Sequence, residues 1–242
     1  NDILPQASAM GAGQLFWDDV GDAARAALLP WQGFLRAVAE GSPYLRHVML
    51  HNTECLLAIV QRGPEVPLAD CMQVITRASS ASDQPELMTV LRREKARAAL
   101  IIALADIAGL WTVDRVVEAL TMLGDTMLSS TVNWLLRDAH RTGKLALADE
   151  DNPAPGSGYV ALAMGKHGAG ELNYSSDIDL IILYDPETAP IAEGVEPSIF
   201  FVRMTKRLVQ ILQDVTEDGY GLRVDLRLRP DGASGLLVSP LT

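Results

Sequence analysis

The 242-residue sequence predicts an α+β fold, in which a helical amino-terminal region precedes a mixed β-sheet core with flanking helices. Two observations support this prediction. Apolar residues recur with a helical period through the first 150 residues and with a strand-like period afterwards. A stretch rich in acidic residues, proline and glycine, at 149–158, separates the two patterns. We therefore predict a helical region over residues 1–150 and a sheet core over residues 151–242.

The helical region contains several segments with apolar residues three and four positions apart. The pattern predicts helices over 19–41 and 43–61, a short helix within 63–84, and two long antiparallel helices over 86–110 and 112–141. A basic cluster opens the first long helix. We interpret it as a solvated helix face rather than a phosphate site; its members are Arg92, Arg93, Lys95 and Arg97.

The core region begins with short apolar runs. These predict strands over 159–164 and 178–184, the second ended by Asp185 and Pro186. An amphipathic helix is predicted over 198–215. Residues 221–229 alternate between apolar and charged side chains, which predicts a strand with one polar face.

Composition and charge exclude some classes of function. The formal charge of −11 argues against broad binding to nucleic acid or to an anionic membrane, which needs a basic surface. Two cysteines, Cys55 and Cys71, are too few for a disulfide framework, and we expect them to be reduced in a cytoplasmic protein. We see no secretory or membrane-spanning segment. Because the chain begins with Asn1 and stops after Leu241 and Thr242, we expect a fragment of a longer protein.

A glycine-rich turn joins the two predicted strands. Gly165, Gly168 and Gly170 allow the backbone to approach a ligand and to point N–H groups at phosphate oxygens. The spacing does not match a dinucleotide fingerprint, and no Gly-Lys-Ser/Thr sequence completes a P-loop. Tight turns also use glycine, so this signal is weak by itself.

The carboxylates that follow this turn form a stronger pattern. In an extended strand, Asp177 and Asp179 point to the same face on the order of 7 Å apart. Their two carboxylates repel each other, and a bound divalent cation would remove that repulsion. Asp225, on the polar face of the last strand, supplies a third carboxylate for phosphoryl or nucleotidyl transfer. The alternatives are a capping aspartate pair and an ion pair between Asp225 and a neighbouring arginine.

Other polar residues near these carboxylates have two open interpretations each. Arg227 and Arg229 would bind phosphate or neutralise the carboxylates. Lys166 would act as a point charge near phosphates or remain a solvated lysine, and Ser176 would bond a phosphate or cap the turn. His167 carries little weight as a general base. The His47 and His51 pair is interpreted as structural.

Residues 164–181 strongly resemble the nucleotidyltransferase motif of the bifunctional glutamine synthetase adenylyltransferase/adenylyl-removing enzyme family. Residues 223–230 resemble the second conserved block of that family. The sequence of residues 171–179, together with the helical segment before it, is more similar to the amino-terminal, adenylyl-removing half of the family than to the AMP-attaching half.

The resemblance implies a nucleotidyltransferase-type core and phosphorolytic deadenylylation of glutamine synthetase, in which adenylyl-tyrosine and phosphate give tyrosine and ADP. It implies that Asp177, Asp179 and Asp225 bind Mg²⁺ or Mn²⁺, and that Gly165 and Lys166 line the phosphate site. ATP, ADP and phosphate are the implied substrates or products. Glutamine synthetase and the PII signalling protein are the implied partners.

Three alternatives stay open at this point. The chain could be the ATP-dependent, AMP-attaching half of such an enzyme, or a polymerase-type nucleotidyltransferase, which the charge of −11 disfavours. It could also be an incomplete fragment that serves as a binding module.

Overall fold

The computed structural model describes residues 11–228 and 237–241. Helices fill the amino-terminal part, and a small sheet with two further helices follows. The helices are α1 (Ala12–Asp19), α2 (Asp22–Leu28), α3 (Gln32–Gly41), α4 (Pro43–His51), α5 (Thr53–Arg62), α6 (Glu65–Arg77), α7 (Gln84–Ile107), α8 (Val113–Arg141), α9 (Gly165–Gly168) and α10 (Pro197–Gln213). The strands are β1 (Tyr159–Met164), β2 (Ile178–Tyr184), β3 (Val224–Asp225) and β4 (Ser239–Pro240). This architecture confirms the predicted α+β class.

The early helices are shorter than predicted. The predicted helix over 19–41 is interrupted by a 3₁₀ turn at Leu29–Trp31, where Pro30 lacks the N–H that an α-helix needs. The predicted helix over 43–61 is divided at Asn52, whose side-chain amide donates to the carbonyl of Val48, 2.9 Å away. At the start of α4, the hydroxyl of Ser42 accepts from the N–H of Leu45. Local capping therefore overrides the continuous apolar period.

The two long helices follow the prediction closely. Asp83 caps α7 by accepting from the N–H of Glu86, and Thr112 caps α8 by accepting from the N–H of Arg115. Both helices pack against α6, and α8 also packs against α10. The core is continuous from these helices to the sheet.

The sheet is mixed, as predicted. Strand β2 pairs antiparallel with β1 along its whole length, from Tyr184 opposite Tyr159 to Asp179 opposite Met164. It pairs in parallel with β3 at its beginning and with β4 at its end. Since β1 occupies one edge of β2, β3 and β4 share the other edge.

One face of β2 is buried against α10. Alternate residues of the strand, beginning with Ile178 and ending with Tyr184, are buried. The ring of Phe201 on α10 lies 5.1 Å from that of Tyr184 and 5.8 Å from that of Tyr159. The other face of β2, which carries Asp179, is half-exposed.

The predicted strand over 221–229 is wrong in extent, since only Val224–Asp225 is a strand among its described residues. The N–H groups of Gly221 and Leu222 donate to the carbonyl of Leu212 at the end of α10, so this stretch cannot join the sheet. Beyond the strand, the N–H of Arg227 donates to the carboxylate of Asp225. Arg229 lies outside the described residues.

Arg92 is completely buried, which contradicts its predicted place on a solvated helix face. Its guanidinium donates to the carbonyls of Ile211 (3.0 Å), Asp214 (2.6 Å) and Gly219 (3.0 Å). These carbonyls lie at and just after the end of α10, where helical partners are missing. Arg92 therefore connects the helical region to the core.

Within the described parts of the chain, no helix is long and apolar enough to cross a membrane. Cys55 and Cys71 are both buried as free thiols.

Candidate nucleotidyl-transfer site

Two of the three predicted carboxylates share one face of the sheet. Asp179 on β2 is the register partner of Asp225 on β3, and the strands are parallel. Register partners on adjacent parallel strands project to the same side, with the strands about 4.8 Å apart. The fold therefore brings together two residues that are 46 positions apart in the sequence.

The glycine turn lies directly against this pair. Strand β1 ends at Met164 opposite Asp179, and Gly165 follows with a φ angle of +55°. A Cβ atom at Gly165 would stand 2.4 Å from Oδ2 of Asp179. Both the backbone angle and the close approach thus require glycine at this position. The turn contains the four-residue helix α9, where the sequence predicted only a turn.

Asp177 precedes β2 and is directed elsewhere. Its Oδ1 lies 2.5 Å from Nε of Arg223, and Arg223 also donates to the carbonyl of Ser175. Both side chains are about half exposed, which leaves this ion pair open to water. Among residues 11–228 and 237–241, no three histidine, cysteine or acidic side chains converge closely enough to hold a metal ion. The three-carboxylate metal site stays a prediction.

Asp225 is bound by Arg227. The backbone N–H of Arg227 donates to Oδ1 at 2.8 Å, and Nη2 of its guanidinium lies 2.5 Å from Oδ2. The Asp225 side chain is 13% exposed and that of Arg227 is 85% exposed. These hydrogen bonds from Arg227 hold the pKa of Asp225 below its ordinary value.

The charges of all three predicted carboxylates act on the guanidinium of Arg227. Its pKa is raised mainly by the hydrogen bond to Asp225, and further by the charges of Asp177 and Asp179. Of the two predicted roles for Arg227, charge neutralisation describes this arrangement. An exposed guanidinium at such a place is also available to a phosphate group.

The remaining predicted site residues surround the turn. Ser176 donates to the side-chain oxygen of Asn173 at 2.9 Å, which corresponds to its predicted capping role. Lys166 is exposed, and no acidic side chain in the described part of the chain pairs with it.

Two contacts at this turn were missed by the sequence analysis. His167 is buried, and its Nε2 lies 2.7 Å from Oδ1 of Asp125 on α8. The ring therefore points into the helical region, away from Asp179. The N–H of Leu172 donates to the hydroxyl of Thr121, also on α8, at 3.2 Å. Because Thr121 and Asp125 are four residues apart on one helix face, α8 binds the turn from behind.

No motif in the sequence could have paired His167 with Asp125. The one available signal is Gly124, a glycine inside a long helix. A Cβ there would lie 3.0 Å from Leu172 Cδ1 and 3.6 Å from His167 Nε2. A helical glycine often marks such close packing.

Comparison with known proteins identifies the family. Residues 32–242 match the family model of glutamate-ammonia ligase adenylyltransferase. Proteins named bifunctional glutamine synthetase adenylyltransferase/adenylyl-removing enzyme are similar to most of the chain. The one from Rhodopseudomonas palustris (strain BisB5) is 50% identical over 204 residues, which is 83% of this chain and 20% of the relative.

Two further relatives carry the same name. The protein from Xanthobacter autotrophicus is 46% identical over 197 residues, covering 81% of this chain and 20% of the relative. That from Bradyrhizobium sp. (strain BTAi1) is 44% identical over 204 residues, covering 84% of this chain and 21% of the relative. The chain thus spans about a fifth of the length of the curated relatives it matches. It belongs to the glutamate-ammonia ligase adenylyltransferase family.

Proposed function

We propose that this chain carries the site for phosphorolytic deadenylylation of glutamine synthetase, a reaction that controls nitrogen assimilation. Inorganic phosphate attacks the phosphorus of adenylyl-tyrosine, the bond from phosphorus to the tyrosyl oxygen breaks, and ADP and free tyrosine result. The observation that carries the proposal is the register pairing of Asp179 with Asp225 beside Gly165. Glutamine synthetase is the partner acted on, and the PII signalling protein is the proposed regulator.

The assignment to deadenylylation is supported by the resemblance of residues 171–179 and the preceding helices to the adenylyl-removing half of the family. The family-model match over residues 32–242 supports the family and is neutral between the two halves. The AMP-attaching reaction uses the same kind of carboxylate site, so consumption of phosphate or of ATP distinguishes the two.

The donor set at the site fits a divalent cation. Asp179 and Asp225 offer carboxylate oxygens on one face, and the bare Cα of Gly165 leaves room at Oδ2 of Asp179. Oxygen donors of this kind suit Mg²⁺ or Mn²⁺. We assign Asp179 and Asp225 as ligands, with Asp177 as the third when it exchanges its bond to Arg223. A cation bound there would neutralise charge on the transferred phosphoryl group.

The other residues of the site would bind and orient the phosphates. The exposed ammonium of Lys166 and backbone N–H groups at the start of the glycine turn would meet phosphate oxygens. The N–H groups of Ala169, Gly170 and Glu171 donate to carbonyls within the turn. Arg227, which borders the three carboxylates, and Arg229 would position the attacking phosphate through paired hydrogen bonds. Phosphate is itself a competent nucleophile at neutral pH, so no strong base is needed. This agrees with the position of His167, which is bonded to Asp125 behind the turn.

The test is ADP release from adenylylated glutamine synthetase with phosphate and Mg²⁺, for this chain and for a protein of the relatives' full length. We expect Asp179→Asn and Asp225→Asn to lower the rate at least a hundredfold, because each would remove a carboxylate ligand of the proposed divalent cation. Glu187→Gln is the matched control, since Glu187 is an exposed carboxylate beyond the far end of β2.

The possible outcomes separate the alternatives. ADP release that survives Asp179→Asn would overturn the site. ATP consumption on unmodified glutamine synthetase without phosphorolysis would assign the AMP-attaching reaction instead. Release by the longer protein alone would identify this chain as an incomplete site.

A further inference from the structure

A second polar groove lies between α4, α7 and the turn at 216–220. Its volume is about 720 Å³, large enough for a nucleotide-sized ligand. None of the predicted carboxylates lines it. The residues of interest are Tyr44 on α4, Arg92 and Lys95 on α7, and Glu217 and Tyr220 in the turn.

Lys95 is the unusual residue of this groove. Its side chain is partly buried, and its ammonium lies 4.3 Å from the centre of the Tyr220 ring. No carboxylate pairs with it in the described part of the chain. Burial lowers the pKa of Lys95, and the positive charges of Arg223 and Arg92 lower it further. The fold thus holds a partly desolvated ammonium against the Tyr220 ring, within reach of the charges of Arg223 and Arg92 and without a carboxylate partner in the described residues.

Two phenols with unused hydroxyl groups accompany Lys95. Among the described residues, the hydroxyls of Tyr44 and Tyr220 have no hydrogen-bond partner. The two rings are neighbours, because Tyr220 adds to the effect of burial in raising the pKa of Tyr44. An ammonium with two free hydroxyl donors is a suitable set for a phosphate group.

The acidic residues of the groove are mostly neutralised. Glu94 is bonded to Arg97 at 2.9 Å, and Asp218 is bonded to Arg93 at 3.0 Å. Arg92 donates to backbone carbonyls and therefore keeps its full charge. Glu217 is exposed, and the charges that act on Lys95 are those of Arg223 and Arg92.

We propose that this groove is a second anion site, in which Lys95, Tyr44 and Tyr220 bind a phosphate group, either inorganic phosphate or a phosphate monoester. The site goes beyond the proposed function and does not depend on it. Arg223 lies between the two sites, since it bonds Asp177 and also acts on Lys95.

The five tyrosines of the chain allow a direct test. Tyrosine rings are isotopically labelled, and their NMR signals are followed as sodium phosphate is added at constant ionic strength. We expect the signals of Tyr44 and Tyr220 to shift, while those of the buried Tyr159 and Tyr184 stay fixed. Tyr174, in the loop before Asp177, reports separately on the carboxylate site.

Variants sharpen the result. Lys95→Met should weaken the phosphate-induced shifts of Tyr44 and Tyr220 at least tenfold. Lys144→Met should leave them unchanged, because Lys144 is an exposed lysine that does not line the groove. Shifts confined to Tyr174, or a Lys95→Met protein that responds like the parent, would overturn the proposal. Repeating the titration with AMP shows whether free phosphate or a phosphate monoester binds at the lower concentration.

Stability provides an independent readout. Lys95→Met removes a repelled cation and also its contact with the Tyr220 ring, so its thermal midpoint in phosphate-free buffer should stay close to that of the parent. Added phosphate should raise the parent's midpoint and leave that of Lys95→Met nearly unchanged, apart from binding at the carboxylate site. If Lys95→Met does not fold, the Tyr44→Phe/Tyr220→Phe double variant takes its place in the thermal measurement. If phosphate raised the midpoint of that variant as much as that of the parent, the proposal would be contradicted.

Discussion

The contacts on the α8 side of the glycine turn are less exposed to water than the contacts on its carboxylate side. On the buried side, His167 and Leu172 bond to α8. At a separate junction of the helical region with the core, the buried Arg92 bonds the end of α10. On the open side, Asp177 and Asp225 are bound by the exposed arginines Arg223 and Arg227. Buried hydrogen bonds are costly to leave unmade, while exposed ion pairs exchange readily with ions and ligands.

This difference separates stability from chemistry. The buried side determines where the turn lies relative to the sheet, and losing it destabilises the fold. On the open side, exposed guanidinium groups pair with the carboxylates, so losing these pairs changes what the site can bind. Variants on each side should therefore affect different measurements.

The largest stability effect is expected at Arg92. Arg92→Met leaves the carbonyls of Ile211 and Asp214 without the side-chain donor they have here, while Gly219 keeps its bonds from Thr216. The loss should lower the free energy of unfolding by about 3 kcal/mol. Urea denaturation measures the change. Arg93→Met is the matched control, because Arg93 is 63% exposed in its ion pair with Asp218, and should cost about 0.5 kcal/mol. Equal losses in both variants would remove the distinction between buried and exposed contacts.

The next effect is expected at Gly165, where the two sides meet. Gly165→Ala combines a positive φ with a contact of 2.4 Å to Oδ2 of Asp179. It should lower the free energy of unfolding by about 2 kcal/mol and abolish ADP release. Gly109→Ala, in the connection between α7 and α8, has the same kind of φ, +66°, but meets nothing within 4 Å. It should cost about 1 kcal/mol and keep its activity. An active Gly165→Ala protein would contradict the close approach of residue 165 to the carboxylate of Asp179.

A smaller effect is expected on the buried side at Asp125. Asp125→Ala leaves Nε2 of the buried His167 without its partner, which should cost about 1 kcal/mol, since the Asp125 side chain is 60% exposed and water can replace part of the bond. Urea denaturation of Asp125→Ala and of Asp114→Ala, an exposed residue of the same helix, provides the comparison. No difference between them would show that the bond does not hold the turn.

The smallest effect is expected on the open side. Arg227→Met removes the guanidinium hydrogen bonds to Asp225 but keeps the backbone N–H bond, so the pKa of Asp225 should rise part of the way towards its ordinary 3.8. A carboxylate with a lowered pKa stabilises the fold above its unfolded pKa and loses this contribution as the pH falls through its folded pKa. The change is therefore confined to pH values below about 4. Carboxyl-carbon NMR shifts measure it, and an unchanged Asp225 pKa would contradict the pairing.

The sequence predicted the elements whose signals are local. Strands β1 and β2 and helices α7 and α8 follow from apolar period and capping residues. It also indicated Asp177, Asp179 and Asp225 as candidate ligands, because paired carboxylates next to an apolar strand are unusual, and that assignment stays a prediction. The alternation at 221–229 was misleading in extent, since the N–H groups of Gly221 and Leu222 bond to Leu212 rather than to a strand.

Contacts between distant segments could not be predicted. Arg92 resembles its solvated neighbours in the sequence, and only the packing of α7 against the end of α10 buries it. His167 and Asp125 are 42 residues apart and belong to no shared motif. Which arginine binds which aspartate also depends on side-chain direction, which spacing does not reveal.

The variant Asp179→Asn, measured in two ways, tests most directly whether the half-exposed face of the sheet carries the chemistry. We predict that ADP release from adenylylated glutamine synthetase falls at least a hundredfold, while the urea midpoint stays close to that of the parent. Retained phosphorolysis, or activity lost only in step with unfolding, would contradict the claim that this half-exposed face of the sheet carries the chemistry.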